Sequence, residues 1–386
     1  MSKTVRIAGI RGIPASHGGF ETFCQRLAQR LVKDGWDVTV YCQEEGDGPT
    51  FVDEWQGVRR VRIPVSRGGA LGTIIFDWKC IRHAMGSRDP VLILGYNTGV
   101  FAALLRLRGI PVIFNMDGVE WARAKWPWYA RIWLFLNDLA ASWLGNRLIA
   151  DHPEIAAMLH KRVPRRKVLT IPYGVDAVAA ADESQLSLYG LTASNYLLLI
   201  ARPERENSIL EIVRAYASKP RSIPLVILGA YQPEVNPFHR EVLEAANEQV
   251  RFLGPIFDQA ITGALRYYAR IYIHGHQVGG TNPSLVESLA AGNAVIAHDN
   301  KFNRWCAGKG GRYFDGESRC ASLMDELIDA PETLAEMRAH SLQRHSESFG
   351  AESEYRAYAD CLGEWTQVDA EQEAGKANRL LNSTDQ

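Results

Sequence analysis

The stretch Ile271–Asp299, IYIHGHQVGGTNPSLVESLAAGNAVIAHD, decides the fold of this chain. IYIH is an apolar run of strand length, PSLVESLA carries a helical stripe that stops near Gly292, and the run from Ala294 to Ala297 is a second strand. Strand, glycine loop, helix and strand make the repeating unit of a parallel α/β sheet. The loop has chemistry of its own. Gly279 and Gly280 let backbone N–H groups come close to a ligand, Asn282 fits the N-cap, Pro283 fits the first helical position, and a helix N-terminus attracts anions. Glu287, one turn further on, is placed to accept hydrogen bonds from ribose hydroxyls. The segment reads as a seat for the phosphate and ribose of a nucleotide; the competing reading is an ordinary glycine-rich connection.

Outward from this unit the alternation persists. Short β-branched runs at Val5–Ile10, Val38–Cys42, Val91–Gly95, Val112–Asn115, Leu148–Ala150 and Val168–Ile171 are separated by helical segments. The pattern restarts with Tyr196–Ala201, Leu225–Gly229, Val250–Leu253, Ile271–His274 and Ala294–Ala297, so two parallel sheets are expected in sequence order. The junction falls near Pro172-Tyr173-Gly174-Val175-Asp176, because the stretch to Tyr189 is rich in Ala, Ser and Asp and lacks a strand, as a hinge or linker does. The expected organisation is an N-terminal Rossmann-like domain over 1–172, a C-terminal one over 173–348, a helix over 349–368 packing back on the first, and a polar, disordered tail over 369–386.

Composition narrows the function. With 43 basic and 44 acidic residues the formal charge is −1, which gives no pull toward nucleic acid. The six cysteines are scattered, with no CxxC pair and no histidine at metal-ligand spacing, and read as buried thiols in a reducing compartment. The start, MSKTVRIAGIRG, passes straight into a strand, and no uncharged apolar run reaches about 18 residues. A cytoplasmic protein is expected.

The first strand runs into Gly9-Ile10-Arg11-Gly12-Ile13-Pro14, and Gly18-Gly19 opens a helix whose apolar face is Phe20, Phe23, Leu27 and Leu31. This lacks the spacing of both the dinucleotide fingerprint and the P-loop lysine motif, which disfavours a simple dehydrogenase or ATPase. Each half would still present one anion-attracting loop at the carboxyl ends of its strands.

Five landmarks occur in order: Gly18-Gly19, IPYGVD at the junction, Ala201-Arg202-Pro203-Glu204, FLGPIFD from Phe252 to Asp258, and GGTNPSLVESLAAGNAVIA. Together they resemble retaining glycosyltransferase family 4, over nearly the whole chain. The resemblance implies an α/β GT-B fold, two doubly wound Rossmann-like domains facing a central cleft, the N-terminal one (1–172) binding the acceptor and the C-terminal one (173–348) the nucleotide sugar. The wording GIRGIP, HGGFET, NMDGVEW and HGHQVGGTNPSL is most similar to a rhamnosyltransferase-like subgroup of bacterial polysaccharide assembly. That subgroup implies transfer of L-rhamnose from dTDP-L-rhamnose to a polyprenyl-diphosphate-linked saccharide. A UDP-hexose-dependent enzyme (galactosyl or glucosyl) and a non-catalytic nucleotide-sugar-binding partner protein are the rival readings. The resemblance places the donor at Gly18, Gly19, Arg202, Asn207, Leu253, Ile256, His276, Gly279, Gly280, Thr281, Asn282, Ser284 and Glu287, and the acceptor at Asp117, Glu120, Trp121 and Asp151. Asp117, Arg202 and Glu287 would carry the chemistry.

Three positions depart from the family pattern. The first of its two glutamates is Gly279, the lysine that joins its phosphate-clamping arginine is Asn207, and its frequent histidine after an N-terminal strand is Asp117. Backbone N–H groups of Gly280 to Ser284 would then replace the missing acid, and Arg202 with helix dipoles would carry the diphosphate. No metal and no cofactor beyond the substrate are expected, since the donor loop has no DxD-like acidic pair. Each residue also has a structural reading: Arg202 as a surface ion-pair residue, Glu287 as a solvent-facing charge, Asp117 and Glu120 as turn and cap residues around Gly118, and His276 and Asp151 as structural residues at a sheet edge.

A separate signal lies between Trp121 and Leu144. From Pro127 the apolar residues cover a wide helical face and leave Arg131, Asp138 and Ser142 as a narrow polar strip. Burial of part of that face against the first sheet is expected. The leading end, with Trp121, Arg123, Lys125, Trp126 and Trp128, has the indole and cation composition of a headgroup-zone contact. Peripheral attachment to the inner leaflet of the cytoplasmic membrane follows as an expectation.

Overall fold

The computed structural model describes residues 3–16, 18–123 and 125–366; the tail expected over 369–386 lies outside them. The chain divides into two compact units, residues 1–171 with 355 onward, and residues 172–354.

The first unit is built on an eight-stranded sheet: β1 (Lys3–Ala8), β2 (Trp36–Glu45), β3 (Phe51–Trp55), β4 (Val58–Val65), β5 (Val91–Leu94), β6 (Val112–Asn115), β7 (Arg147–Ala150) and β8 (Val168–Thr170), in the order β3-β4-β2-β1-β5-β6-β7-β8. All its pairings are parallel except β3–β4. The helix Gly19–Lys33 buries Phe23, Cys24, Leu27, Ala28 and Leu31 against β1 and β2. Phe23, Leu27 and Leu31 each remove enough apolar surface from water to favour folding by about 1.5–3 kcal/mol. Of the helix over residues 351–366, the part from Tyr355 belongs to this unit; Tyr358, Cys361 and Leu362 enter the same core, and the Tyr358 hydroxyl accepts a hydrogen bond from Asn115 Nδ2 at 2.7 Å.

The second unit holds a six-stranded, all-parallel sheet: β9 (Leu197–Ile200), β10 (Leu225–Leu228), β11 (Val250–Gly254), β12 (Ile271–His274), β13 (Val295–His298) and β14 (Gly311–Phe314), in the order β11-β10-β9-β12-β13-β14. The strands of its centre are buried on both faces, which is why they read as continuous apolar runs.

Three strands exceed the sequence expectation. β3 and β4 form an antiparallel hairpin at a sheet edge, where Arg60 and Arg62 of VRRVRIPV pair with Asp53 and Glu44; these cations hide the strand pattern. β14 is four residues beginning with glycine. The helix Trp128–Leu144 also corrects an expectation. Of its polar strip Asp138 and Ser142 are buried, with Asn137 beside them, and Arg131 is exposed, while Trp128, Tyr129, Ile132, Leu136 and Trp143 are exposed. Asp138 accepts from Trp121 Nε1 and from Arg162, both at 2.9 Å, and Asn137 Oδ1 accepts from the Val100 N–H, which satisfies these two buried side chains, whereas Ser142 Oγ has no hydrogen-bond partner among the described residues. All six cysteines are buried and free.

Candidate active site

Parallel strands bring all their carboxyl ends to one edge, and ligands gather where the strand order reverses. In the second unit that point lies between β9 and β12, because β10 and β11 continue from one side and β13 and β14 from the other. The loops leaving β9 and β12 carry Arg202 and the glycine loop, respectively. They are locked together. Gly275 lies so close to the other loop that a Cβ on it would sit 2.0 Å from the Asn207 carbonyl oxygen; the Gln277 N–H donates to the Glu206 carbonyl, and Gln277 Nε2 donates to Ser208 Oγ at 2.9 Å. Asn207 is buried and its amide donates to the Arg202 carbonyl at 2.8 Å. It braces the backbone that presents Arg202, which is exposed. His239 clamps the same loop through the Pro203 carbonyl at 3.0 Å.

The glycine loop ends as the sequence implies. Asn282 Oδ1 accepts from the Ser284 N–H at 3.0 Å, Pro283 opens the helix Pro283–Ala290, and Thr281 is buried. Gly279 has φ +140, a backbone region that L side chains rarely adopt, and its Cβ direction is open space. The absent glutamate and the loop conformation therefore agree: this backbone is built for glycine. Ser284 Oγ lies 2.6 Å from the Tyr272 hydroxyl and 3.3 Å from the Ile200 carbonyl, so it fastens the helix start to the sheet.

Glu287 is half-buried and neither idle nor solvent-facing: Arg266 Nη2 donates to its Oε2 at 2.5 Å, and the Tyr173 hydroxyl lies 3.5 Å from its Oε1. Arg266, on the last turn of the helix Gln259–Tyr267, escaped the sequence reading; the only signal was a cation beside Leu265 on the buried face. The pair fixes the carboxylate in an orientation suited to hydroxyl donors. His276 stacks on His274 with ring centroids 4.4 Å apart, and its carbonyl is held by Asn300 and Asn303. Burial, with repulsion from His276 and His298, pushes His274 well below the usual histidine range, so it is neutral. Leu253 and Ile256 pack on a core cluster with Tyr196 and Tyr272.

In the first unit the corresponding reversal lies between β1 and β5. A cavity of about 440 Å³ opens there, with Gly18 and Gly19 on its wall alongside Glu21, Gln43, Asp77 and Thr98. Glu21 and Asp77, both buried, were missed by the sequence reading, because each lies on a helix among apolar residues. Glu21 Oε2 accepts from the Ser16 N–H at 3.0 Å, and Asp77 Oδ2 accepts from Thr98 Oγ1 at 2.8 Å. Burial raises Asp77 to about 6, a shift the Thr98 hydrogen bond only partly offsets.

The residues expected at the acceptor separate into two kinds. Asp117 follows β6 with φ 51; burial and the charge of Glu120 raise it to about 6, within reach of proton transfer near neutrality. Glu120 and Trp121 are braces. Glu120 pairs with Arg123 at 2.5 Å and Lys125 at 3.5 Å, accepts from Trp126 Nε1, and donates its backbone N–H to the Tyr96 hydroxyl oxygen. These partners outweigh burial and hold it below the usual carboxylate range. Trp121 is tied to Asp138. Arg123 and Lys125, expected at a membrane surface, both pair with Glu120; Lys125 is exposed. Asp151 follows β7 and is partly buried.

With this geometry in place, comparison with known proteins is informative about the fold. A family model described as a domain of unknown function (DUF1972) matches residues 2–176. No curated protein matches the sequence. Among solved structures, a sucrose-phosphate synthase from Thermosynechococcus elongatus superposes with a TM-score of 0.80 at 16% identity, covering 96% of this chain and 100% of that one. HepE from Anabaena in complex with UDP gives 0.72 at 14% identity, covering 94% and 100%. An alpha,alpha-trehalose-phosphate synthase (UDP-forming) from Burkholderia vietnamiensis gives 0.72 at 11% identity, with the same coverages. The chain has the GT-B fold, two doubly wound α/β units in sequence order.

Proposed function

We propose that the protein is a nucleotide-sugar-dependent glycosyltransferase. The observation that carries this reading is the convergence at the β9/β12 reversal of Arg202, the capped helix start after Gly279-Gly280, and a Glu287 carboxylate fixed by Arg266. Arg202 and the helix start would stabilise charge growing on the leaving diphosphate, where preorganised donors act most strongly. Glu287 would hold the ribose. With fixed cations in that role the transfer needs no metal ion. The sugar is transferred with retention, and Asp117 serves a hydroxyl of the sugar or the acceptor.

The preferred donor is dTDP-L-rhamnose and the preferred acceptor a polyprenyl-diphosphate-linked saccharide of cell-surface polysaccharide assembly, on the wording of the sequence motifs. A UDP-hexose donor is the second reading, favoured by structural neighbours described as UDP-forming or in complex with UDP and glucose. A lipid-linked acceptor accords with the outward aromatic face of the helix Trp128–Leu144. Trp128 is 73% exposed, Tyr129 63% and Trp143 64%, an arrangement that water disfavours and a bilayer interface accepts. Leu107 and the cations Arg106 and Arg108, at the end of the helix Ala102–Leu107 that contacts it, are exposed too, as an anionic cytoplasmic leaflet would attract. The attachment we propose is peripheral; no described helix is long and apolar enough to cross a membrane.

Calorimetric titration with UDP and dTDP tests the donor site. Binding by the wild type and a ten- to hundred-fold loss in Arg202→Ala is expected, from one charge-assisted contact of about 1.5–3 kcal/mol. Equal affinity in the two proteins would remove Arg202 from the site.

A further inference from the structure

The two loops that meet at the β9/β12 reversal are short of fixed positive charge for a diphosphate. On the loop leaving β9, Arg205 is paired with Glu241 and lies over the Phe238 ring, and Asn207 is a buried brace, which leaves Arg202 as the exposed cation without a carboxylate partner among the described residues. The loop leaving β12, residues 275–282, holds no lysine or arginine, and its one titratable side chain is His276. Alternation puts Tyr272, His274 and His276 on one face, and their rings stack, with centroids 6.2 Å apart for the first two and 4.4 Å for the second two. That face meets the glycine loop, because the Tyr272 hydroxyl lies 2.6 Å from Ser284 Oγ in the first turn of the helix Pro283–Ala290. Burial decreases outward along the stack. His274 is buried and neither of its ring nitrogens has a hydrogen-bond partner among the described residues, so a proton there would be stranded. His276 is half-buried, and Asn300 Nδ2 and Asn303 Nδ2 fix its backbone by donating to its carbonyl at 2.9 and 2.8 Å. Of the charged groups around the stack, Glu211, Asp299 and Asp315 act on the His298 ring, and Asp299 is paired with Arg304. Glu206 stands on the β9 loop, where its carbonyl accepts from the Gln277 N–H, Lys301 opens the helix that carries Asn303, and Glu287 is paired with Arg266.

We infer that binding of a nucleotide sugar takes one proton from solvent onto His276, whose imidazolium donates a hydrogen bond to the diphosphate and serves as the second cation beside Arg202. The inference rests on the donor-site reading of these two loops. An imidazole titrates near about 6.5 and is mostly neutral above pH 7, and a diphosphate brought against it favours the charged ring. By linkage, the ligand then binds more tightly as pH falls through that range.

The test is calorimetric titration of the full-length protein with UDP-glucose and with dTDP-L-rhamnose, whose diphosphate diesters have no proton to gain between about pH 6 and 8.5. Titration near pH 7.5 in PIPES and in Tris separates proton uptake from binding, since the two buffers differ in ionisation enthalpy. For the nucleotide sugar that binds, uptake of about half to one proton is expected, with wild-type affinity rising about tenfold from pH 8 to pH 6. His276→Gln should abolish the uptake and flatten the pH dependence, losing affinity mainly at the acid end, and His298→Gln should keep both. Asp77 and Asp117 are present in all three proteins, so the comparison isolates the histidines. Wild-type affinity that is independent of pH, with no proton taken up, would overturn the inference and leave the donor site standing. Uptake that survives in a His276→Gln variant of wild-type circular dichroism, or disappears in His298→Gln, would overturn the assignment to His276. Absence of binding at every pH would remove the donor-site reading together with the inference.

Discussion

Removing Glu287 should injure stability and donor binding by separable amounts. The Arg266 side chain is 10% exposed and Glu287 30%, with 2.5 Å between donor and acceptor. Breaking a fully buried pair from one side costs about 3–5 kcal/mol, because the surviving charge is stranded. The partial exposure of Glu287 lets water reach the site and brings the expected loss in Glu287→Ala to about 2 kcal/mol. Glu287→Gln keeps the size and an acceptor oxygen for Arg266, so it should lose only about 1 kcal/mol. Both variants should bind nucleoside diphosphate ten- to hundred-fold more weakly, since the ribose loses a charged acceptor worth about 1.5–3 kcal/mol. Arg266→Leu combined with Glu287→Ala removes the stranded charge, so the double variant should regain most of the stability and none of the binding. Urea unfolding and calorimetric titration of the four proteins give both quantities. Wild-type affinity in Glu287→Gln would refute the ribose assignment, and wild-type stability in Glu287→Ala would refute the energetics of the pair.

Four further outcomes are expected. Asp77 is raised in the folded state to about 6 from 3.8, so the native protein binds more protons than the unfolded chain and Asp77 makes stability fall as pH rises between about 4 and 6; Asp77→Asn should be more stable above pH 6 by on the order of 3 kcal/mol and should flatten that limb in urea unfolding. Asp117→Asn should lower kcat far more than donor affinity and remove from the pH–rate profile a limb near pH 6, where the raised Asp117 titrates. Turnover should survive exhaustive treatment with EDTA; a requirement for added Mg²⁺ or Mn²⁺ would contradict the assignment of diphosphate charge to Arg202 and the helix start. Joint replacement of Trp128, Tyr129 and Trp143 by serine should weaken sedimentation with vesicles of anionic phospholipid at least tenfold and spare nucleotide binding, and unchanged sedimentation would exclude this face as the membrane contact.

The glycine loop was legible because its signals are local. Gly279, Asn282 and Pro283 mark a turn, a cap and a helix start by backbone preference alone, and the structure puts each at that place. Arg266 and Asp77 were not legible, since the meaning of a charge inside a helical stripe depends on what the opposite element brings to it. Periodicity also left the direction of the helix Trp128–Leu144 open. A 3.6-residue pattern defines two faces and says nothing of which is inside; here Trp121 and Arg162 satisfy Asp138 and the Val100 N–H satisfies Asn137, so these polar residues can be buried. The hairpin β3–β4 was hidden by its arginines, whose partners Asp53 and Glu44 lie on neighbouring strands.

The most direct measurement of the central claim is mass spectrometry of a polyprenyl-diphosphate-linked saccharide incubated with the protein and, separately, dTDP-L-rhamnose, UDP-glucose or UDP-galactose, with nucleoside diphosphate quantified in parallel. The account predicts that one donor adds a single sugar mass to the acceptor with equimolar nucleoside diphosphate released, and that Arg202→Ala and Glu287→Gln abolish or sharply slow both. Nucleotide binding without any sugar transfer, across donors and a panel of lipid-linked acceptors, would contradict it and leave a nucleotide-sugar-binding protein without catalysis.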